Sequence, residues 1–272
     1  MTTKYHFEQT LLTLEDVRVR CGERTILDGV CASVKNVTRP GVQQGQVIGV
    51  LGPSGIGKTQ LFRVLAGLSR PAFGRVLLGS EQAPVECGRV GVVAQDYPLF
   101  AHHSVLANLC LSARLSGDTS ARALERAREL LERFGIAEQA EQFPALLSGG
   151  QRQRVAIAQQ LLRKSSLLLM DEPFSGLDLR MIKAVCALIN EVARHDELLT
   201  IIVTSHDVSA LLSVADTIWL LGRPAGANPE QGARIVDTLD LMERGIAWEP
   251  EVERAPRYEE TRRELATRFL EL

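Results

Sequence analysis

QVIGVLGPSGIGKTQLFRVLAGL, residues 46–68, decides the fold. Its first six residues are a short, nearly continuous apolar run, the pattern of a strand buried on both faces. Residues 52–59 fit the spacing G-x-x-x-x-G-K-[ST]. From Thr59 onward, Leu61, Phe62, Val64, Leu65 and Leu68 fall at helical spacing. A strand, a glycine loop and a helix in that order form a cradle for a polyphosphate. Gly52, Gly55 and Gly57, with Pro53, Ser54 and Ile56 between them, let successive backbone N–H groups turn toward one anion. The helix that follows adds its dipole. Lys58 is placed to reach the β- and γ-phosphates, and the Thr59 hydroxyl to ligate Mg²⁺.

Working outward, residues 167–172 read LLLMDE. A buried strand ending in two adjacent carboxylates brings acids to the C-terminal edge of a parallel sheet, where ligands bind. Asp171 can hold Mg²⁺ there, and Glu172 can orient and polarise an attacking water. His206 follows another apolar strand, residues 199–204, and Gln95 follows a third, residues 90–94. Alone, each reads as an ordinary polar residue at a strand end. Residues 147–151, LSGGQ, form a second glycine-rich segment ahead of a helix beginning near Gln151. The plain reading of Ser148, Gly149 and Gly150 is a loop and an N-cap. The alternative is a second anion site at that helix end.

The remaining chain supplies the frame. Residues 11–35 alternate in the manner of two or three antiparallel strands, and residues 36–45 read as a loop. Residues 75–79 and 89–94 read as strands. Residues 104–147 turn helical, with cap residues at 118–120 and a C-terminal glycine at Gly135. Helices at 152–162 and 181–195 and a strand at 217–221 complete the order. Residues 223–232 read as a linker and 258–270 as a surface helix with few large apolar residues. The expected fold is α/β: a parallel-sheet core with an N-terminal antiparallel β subdomain and an inserted α-helical subdomain.

In sequence order the chain shows GPSGIGKT, Gln95, LSGGQRQR, LLLMDE, SGLD and His206. That order resembles the ATP-binding subunit of an ABC transporter, a P-loop NTPase, over residues 11–222, with the helical insertion at about 96–165 and a tail at 223–272. LSGGQ is the discriminating element. The resemblance implies that residues 52–59 are the Walker A loop for ATP. It implies that Gln95 senses Mg²⁺ and the membrane partner, and that Ser148, Gly149, Gly150 and Gln151 are the signature that closes on the ATP of a second copy. Asp171 then corresponds to the Walker B aspartate, Glu172 to the catalytic glutamate, Asp178 to the D-loop aspartate and His206 to the switch histidine. The implied partners are a second ATPase subunit, an integral membrane permease that residues 96–100 would dock, and a periplasmic solute-binding protein. Residues 171–178 resemble those of bacterial importer subunits. Two features depart from the family pattern: Cys21 stands where an aromatic residue usually stacks on adenine, and the loop at residues 36–45 is longer than usual.

Composition agrees with that expectation. The chain is 272 residues long with a net charge of −2, which argues against nucleic acid as the main partner. The five cysteines have no C-x-x-C spacing, so a metal cage or disulfide framework is not expected. No apolar run approaches the roughly 18 residues needed to span a bilayer. The expected location is the cytoplasm, peripheral on the inner face of the cell membrane. The rival is a soluble ABC ATPase that remodels an assembly.

Overall fold

The computed structural model describes residues 6–38, 45–163, 165–194, 199–224, 226, 231–247 and 252–272. The chain divides into two compact units, one of residues 1–90 and 169–272, the other of residues 91–168.

In the first unit, β1 (His6–Cys21) and β2 (Arg24–Thr38) form a long antiparallel hairpin. β3 (Gln46–Leu51) is the apolar strand of the opening motif, and α1 (Lys58–Leu65) is its helix. β4 (Phe73–Leu78) pairs with β1, and β5 (Ala83–Pro84) pairs with β4, so the first sheet has the order β2-β1-β4-β5.

The second unit begins with β6 (Gly91–Val93). Three helices follow: α2 (Val105–Leu115), α3 (Ser120–Arg133) and α4 (Gly149–Leu161). Side-chain caps start all three, from Ser104, Thr119 and Ser148. Gly135, with φ 63°, ends α3 in the left-handed conformation that favours glycine. α2 and α4 are tied by the Ser112 hydroxyl, which donates to the Gln159 carbonyl at 2.7 Å.

The chain re-enters the first unit through β7 (Leu167–Asp171). After it come α5 (Leu179–Ala193), β8 (Thr200–Ser205), α6 (Val208–Leu212), β9 (Thr217–Gly222), β10 (Arg234–Asp240) and α7 (Tyr258–Leu270). In this unit the second sheet runs β10-β9-β3-β8-β7. β3 is parallel to both β8 and β9. All six of its residues are buried, which explains its unbroken apolar sequence. The C-terminal ends of β3, β7 and β8 therefore bring the glycine loop, the Asp171-Glu172 pair and His206 into one unit.

Three segments differ from the sequence reading. Asn36, expected in a loop, is buried within β2, and the strand runs on to Thr38; residues 39–44 lie outside the described residues. β10, absent from that reading, pairs antiparallel with β9. Its sequence RIVDTLD does not alternate cleanly because Ile235 and Val236 are adjacent. The helix at 258–270 buries Tyr258, Thr261 and Leu265. Tyr258 and Leu265 fall on one inward stripe, whereas Leu270 is exposed.

Candidate functional site

Steric limits shape the loop at residues 52–59. A Cβ on Gly52 would lie 2.6 Å from the Leu221 carbonyl oxygen, and one on Gly57 would lie 3.0 Å from the side chains of both Ile26 and Leu27. Gly57 also holds φ 119°, a conformation L side chains rarely adopt. Both glycines are thus fixed by close approach and not by composition. Ile56 is buried and anchors the loop from below, Pro53 is half-buried, and Ser54, Gly55 and Thr59 are exposed.

The N-terminus of α1 is left open. Gly57 offers no side-chain cap, and the first turn carries no acid. The leading N–H groups of a helix lack intrahelical partners, so this end fits an anion. Lys58 is the cation beside it. Its ammonium is almost fully buried and donates to the carbonyls of Gly52 at 2.6 Å and Pro53 at 3.1 Å. It also pairs with Glu172 Oε1 at 3.0 Å.

The acids at the end of β7 are set by a residue that sequence reading missed. Thr204 of β8 donates its hydroxyl to Asp171 Oδ1 at 2.6 Å and accepts from the Glu172 backbone N–H at 3.1 Å. The same N–H also donates to the Thr204 carbonyl at 3.1 Å. These bonds hold Glu172 at φ 48°, a region non-glycine residues seldom occupy. The only signal in the sequence was a polar residue ending an apolar strand. Glu172 is the hub: its second oxygen, Oε2, lies 2.9 Å from His206 Nδ1. His206 itself is half-exposed, whereas the Glu172 side chain is 13% exposed.

Mg²⁺ fits this donor set. Asp171 presents a carboxylate, held by one hydroxyl, and Thr59 an exposed hydroxyl. No group of three or more His, Cys, Asp or Glu among the described residues could hold a metal. A site with so few protein ligands suits an ion that keeps waters and substrate phosphates around it.

Asp178, exposed in the first unit, caps α5 by accepting from the Met181 N–H at 2.8 Å. In the second unit, Gln95 lies exposed just beyond β6. Ser148 and Gln151 form a complete capping box on α4: Ser148 Oγ accepts from the Gln151 N–H at 3.3 Å, and Gln151 Oε1 accepts from the Ser148 N–H at 2.9 Å. Gly149 and Gly150 form its first turn. Cys21 is exposed at the tip of the β1–β2 hairpin, opposite Arg24.

Residues 36–175 match the ABC transporter family. A methionine import ATP-binding protein of Mesorhizobium japonicum is 34% identical over 232 residues, which are 82% of this chain and 60% of that protein. A probable sulfate/thiosulfate import ATP-binding protein of Chlorella vulgaris is 36% identical over 213 residues, 77% of this chain and 86% of that protein. The chain spans about 60% of the length of the methionine import proteins it matches. The solved structure of cbiO1 from Clostridium perfringens, part of the ABC transporter complex cbiONQ, shares the fold. Its TM-score is 0.71 at 24% identity, covering 96% of this chain and 100% of that one. The glycine loop, the Asp171-Glu172 pair and the LSGGQ segment thus stand in a chain that belongs to the ABC transporter family.

Proposed function

We propose that this chain binds ATP with Mg²⁺, hydrolyses it, and so powers a separate integral membrane permease. The observation that carries the reading is the Glu172 carboxylate, held between Lys58 and His206 beside an uncapped helix N-terminus. Residues 52–58 bind the phosphates through backbone N–H groups and the Lys58 ammonium. Thr59 and Asp171 would hold Mg²⁺, which when bound stabilises charge on the phosphate oxygens. Lys58 turns from Glu172 to the phosphates, which frees one carboxylate oxygen. Glu172 then accepts the proton of the attacking water, while His206 keeps the carboxylate aligned. Gln95, in the second unit, would sense Mg²⁺ and report to the membrane subunit.

Two copies arranged head to tail would each offer Ser148, Gly149, Gly150 and Gln151 to the nucleotide of the other, with Asp178 at the seam. Residues 11–222 form the ATPase domain on this reading, with its helical insertion at about 96–165. The membrane partner would meet the second unit near residues 96–100. Phe100 and Leu115 are exposed there, beside a cavity of about 340 Å³ that Pro98 and Gln159 also line. No helix among the described residues is long and apolar enough to cross a membrane, so attachment to the inner face would come through that partner.

The relatives' names support import over the soluble remodelling alternative, and a periplasmic solute-binding protein is a further proposed partner. They disagree on cargo, methionine in one and sulfate or thiosulfate in another. The cargo is therefore assigned to the permease and binding protein. The test is phosphate release by the purified chain with Mg-ATP, alone and with the permease encoded beside it in vesicles. Turnover that rises with the permease supports the reading. Turnover indifferent to every neighbouring permease would sink the transport part.

A further inference from the structure

We propose that Thr204 is a positioning residue that sets the metal selectivity of the site. By occupying one oxygen of Asp171, it restricts that carboxylate to a single-oxygen grip and so favours Mg²⁺ over Ca²⁺. The proposal rests on the ATPase reading above. Thr204 follows Ile201, Ile202 and Val203 in β8 and is buried like them. A valine would fill nearly the same space and suit the strand equally well. Burial does not call for the hydroxyl, but its partners do.

β8 lies between β3 and β7 in the second sheet, so its end touches both neighbours. On one side Thr204 pairs with Val50, and the Ser205 carbonyl accepts from the Gly52 N–H of the glycine loop at 3.3 Å. On the other side the Thr204 hydroxyl reaches β7. A hydroxyl has one proton to donate and lone pairs to accept. The Glu172 N–H donates into Thr204 Oγ1 at 3.1 Å, which turns the single proton toward Asp171 Oδ1 at 2.6 Å. That is the length of a charge-assisted bond. Thr204 and Asp171 are both buried, so water does not take the hydroxyl's place. Among the described residues Asp171 Oδ2 has no hydrogen-bond partner, and it is the oxygen left for an ion.

The two ions ask for different carboxylates. Mg²⁺ demands a near-ideal octahedron, keeps several waters and takes few protein carboxylates beside substrate phosphates. Ca²⁺ is larger, gathers roughly six to eight oxygens and readily takes both oxygens of one carboxylate. Asp171, with Oδ1 committed to Thr204, suits the first pattern. To grip Ca²⁺ with both oxygens it would have to give up a buried bond and leave the Thr204 proton unpaired, which is costly. The Glu172 backbone does not depend on that hydroxyl alone, because its N–H also donates to the Thr204 carbonyl at 3.1 Å. Removing the hydroxyl thus releases Asp171 and leaves the turn at Glu172 in place.

The test measures the affinity of the full chain for a fluorescent, non-hydrolysable ATP analogue in Mg²⁺ and in Ca²⁺, a readout free of turnover. In Thr204→Val the ratio of the two Kd values should move about ten-fold toward Ca²⁺, the effect of one hydrogen bond to a charged group. Thr204→Ser keeps the hydroxyl and should hold the ratio of the unmodified chain. Thr204→Cys, close in size with a weaker donor, should fall between them, and it carries the test if valine loosens β8. An unmoved ratio in Thr204→Val, or an equal shift in Thr204→Ser, overturns the proposal. If the ratio moves as stated while the unmodified chain releases no phosphate from Mg-ATP, Thr204 keeps its assignment and the hydrolytic reading fails.

Discussion

The two glycine-rich segments both precede helices, yet the helix ends they make are finished in opposite ways. At α1 the N-cap is Gly57, with no side chain to satisfy the leading N–H groups, and Lys58 stands beside them. At α4 the N-cap is Ser148, and with Gln151 it satisfies two of those groups within the chain. The physics of a helix N-terminus is the same in both places. The difference is readiness. An anion arriving at α1 meets open N–H donors and a cation that must turn to it from Glu172, whereas one arriving at α4 must displace hydrogen bonds at the helix end itself. This contrast supports the proposed division of labour: one site holds nucleotide in a single chain, and the other engages only when a second copy brings its nucleotide.

The strongest way to sharpen the contrast is Glu172→Gln. Removing a general base costs about 10²–10⁴-fold in rate. Turnover should fall by that order while phosphate binding at α1 persists. Loss of the Lys58–Glu172 ion pair also leaves the ammonium free for phosphate, so nucleotide affinity should rise. With Mg-ATP, the variant should elute as a dimer on size exclusion. A monomer under those conditions would break the proposal that α4 serves a second copy.

Lys58→Ala comes next. It removes a charged hydrogen-bond donor, worth about 1.5–3 kcal/mol or roughly 10- to 150-fold in affinity. Equilibrium binding of a fluorescent ATP analogue reads the loss. Unchanged affinity would remove α1 from the phosphate site. Cys21→Tyr probes the opposite end of the nucleotide, where a base stack contributes about 1–3 kcal/mol. ATP affinity should rise if the exposed hairpin tip faces adenine, and an unchanged value places the base elsewhere.

These same residues show what a sequence discloses and what it hides. Residues 46–59 were legible because each local demand leaves its mark: an all-buried parallel strand needs continuous apolar residues, and the close backbone contact at Gly52 and the positive φ of Gly57 call for glycine. Asp171 and Glu172 were legible as a pair at a strand end. Thr204 was not, because its role arises from pairing across strands 33 residues apart, and no local pattern records that. β10 was hidden for a related reason. It is an edge strand with one neighbour and only Leu239 fully buried, so its exposure alternates while its residue types do not. In the tail, residues 258–270 were legible as a helix, but its few large apolar residues read as a surface helix and did not disclose that Tyr258, Thr261 and Leu265 are buried.

The finest test separates the two parts that Ser148 plays. As an N-cap it contributes about 1 kcal/mol to α4. For a chain of this size that corresponds to a shift of about 2–4 °C in thermal midpoint. Ser148→Ala should show that shift, with nucleotide affinity of the single chain unchanged, since α1 is untouched. Ser148→Asp sharpens the matter, because aspartate caps a helix as well as serine does and carries a negative charge. Its thermal midpoint should match the unmodified chain, while the charge repels a phosphate approaching α4. Turnover should therefore fall in Ser148→Asp without any loss of fold. A Ser148→Asp chain that hydrolyses ATP at the normal rate would reduce LSGGQ to its plainest reading, a helix cap, and leave α1 as the sole anion site.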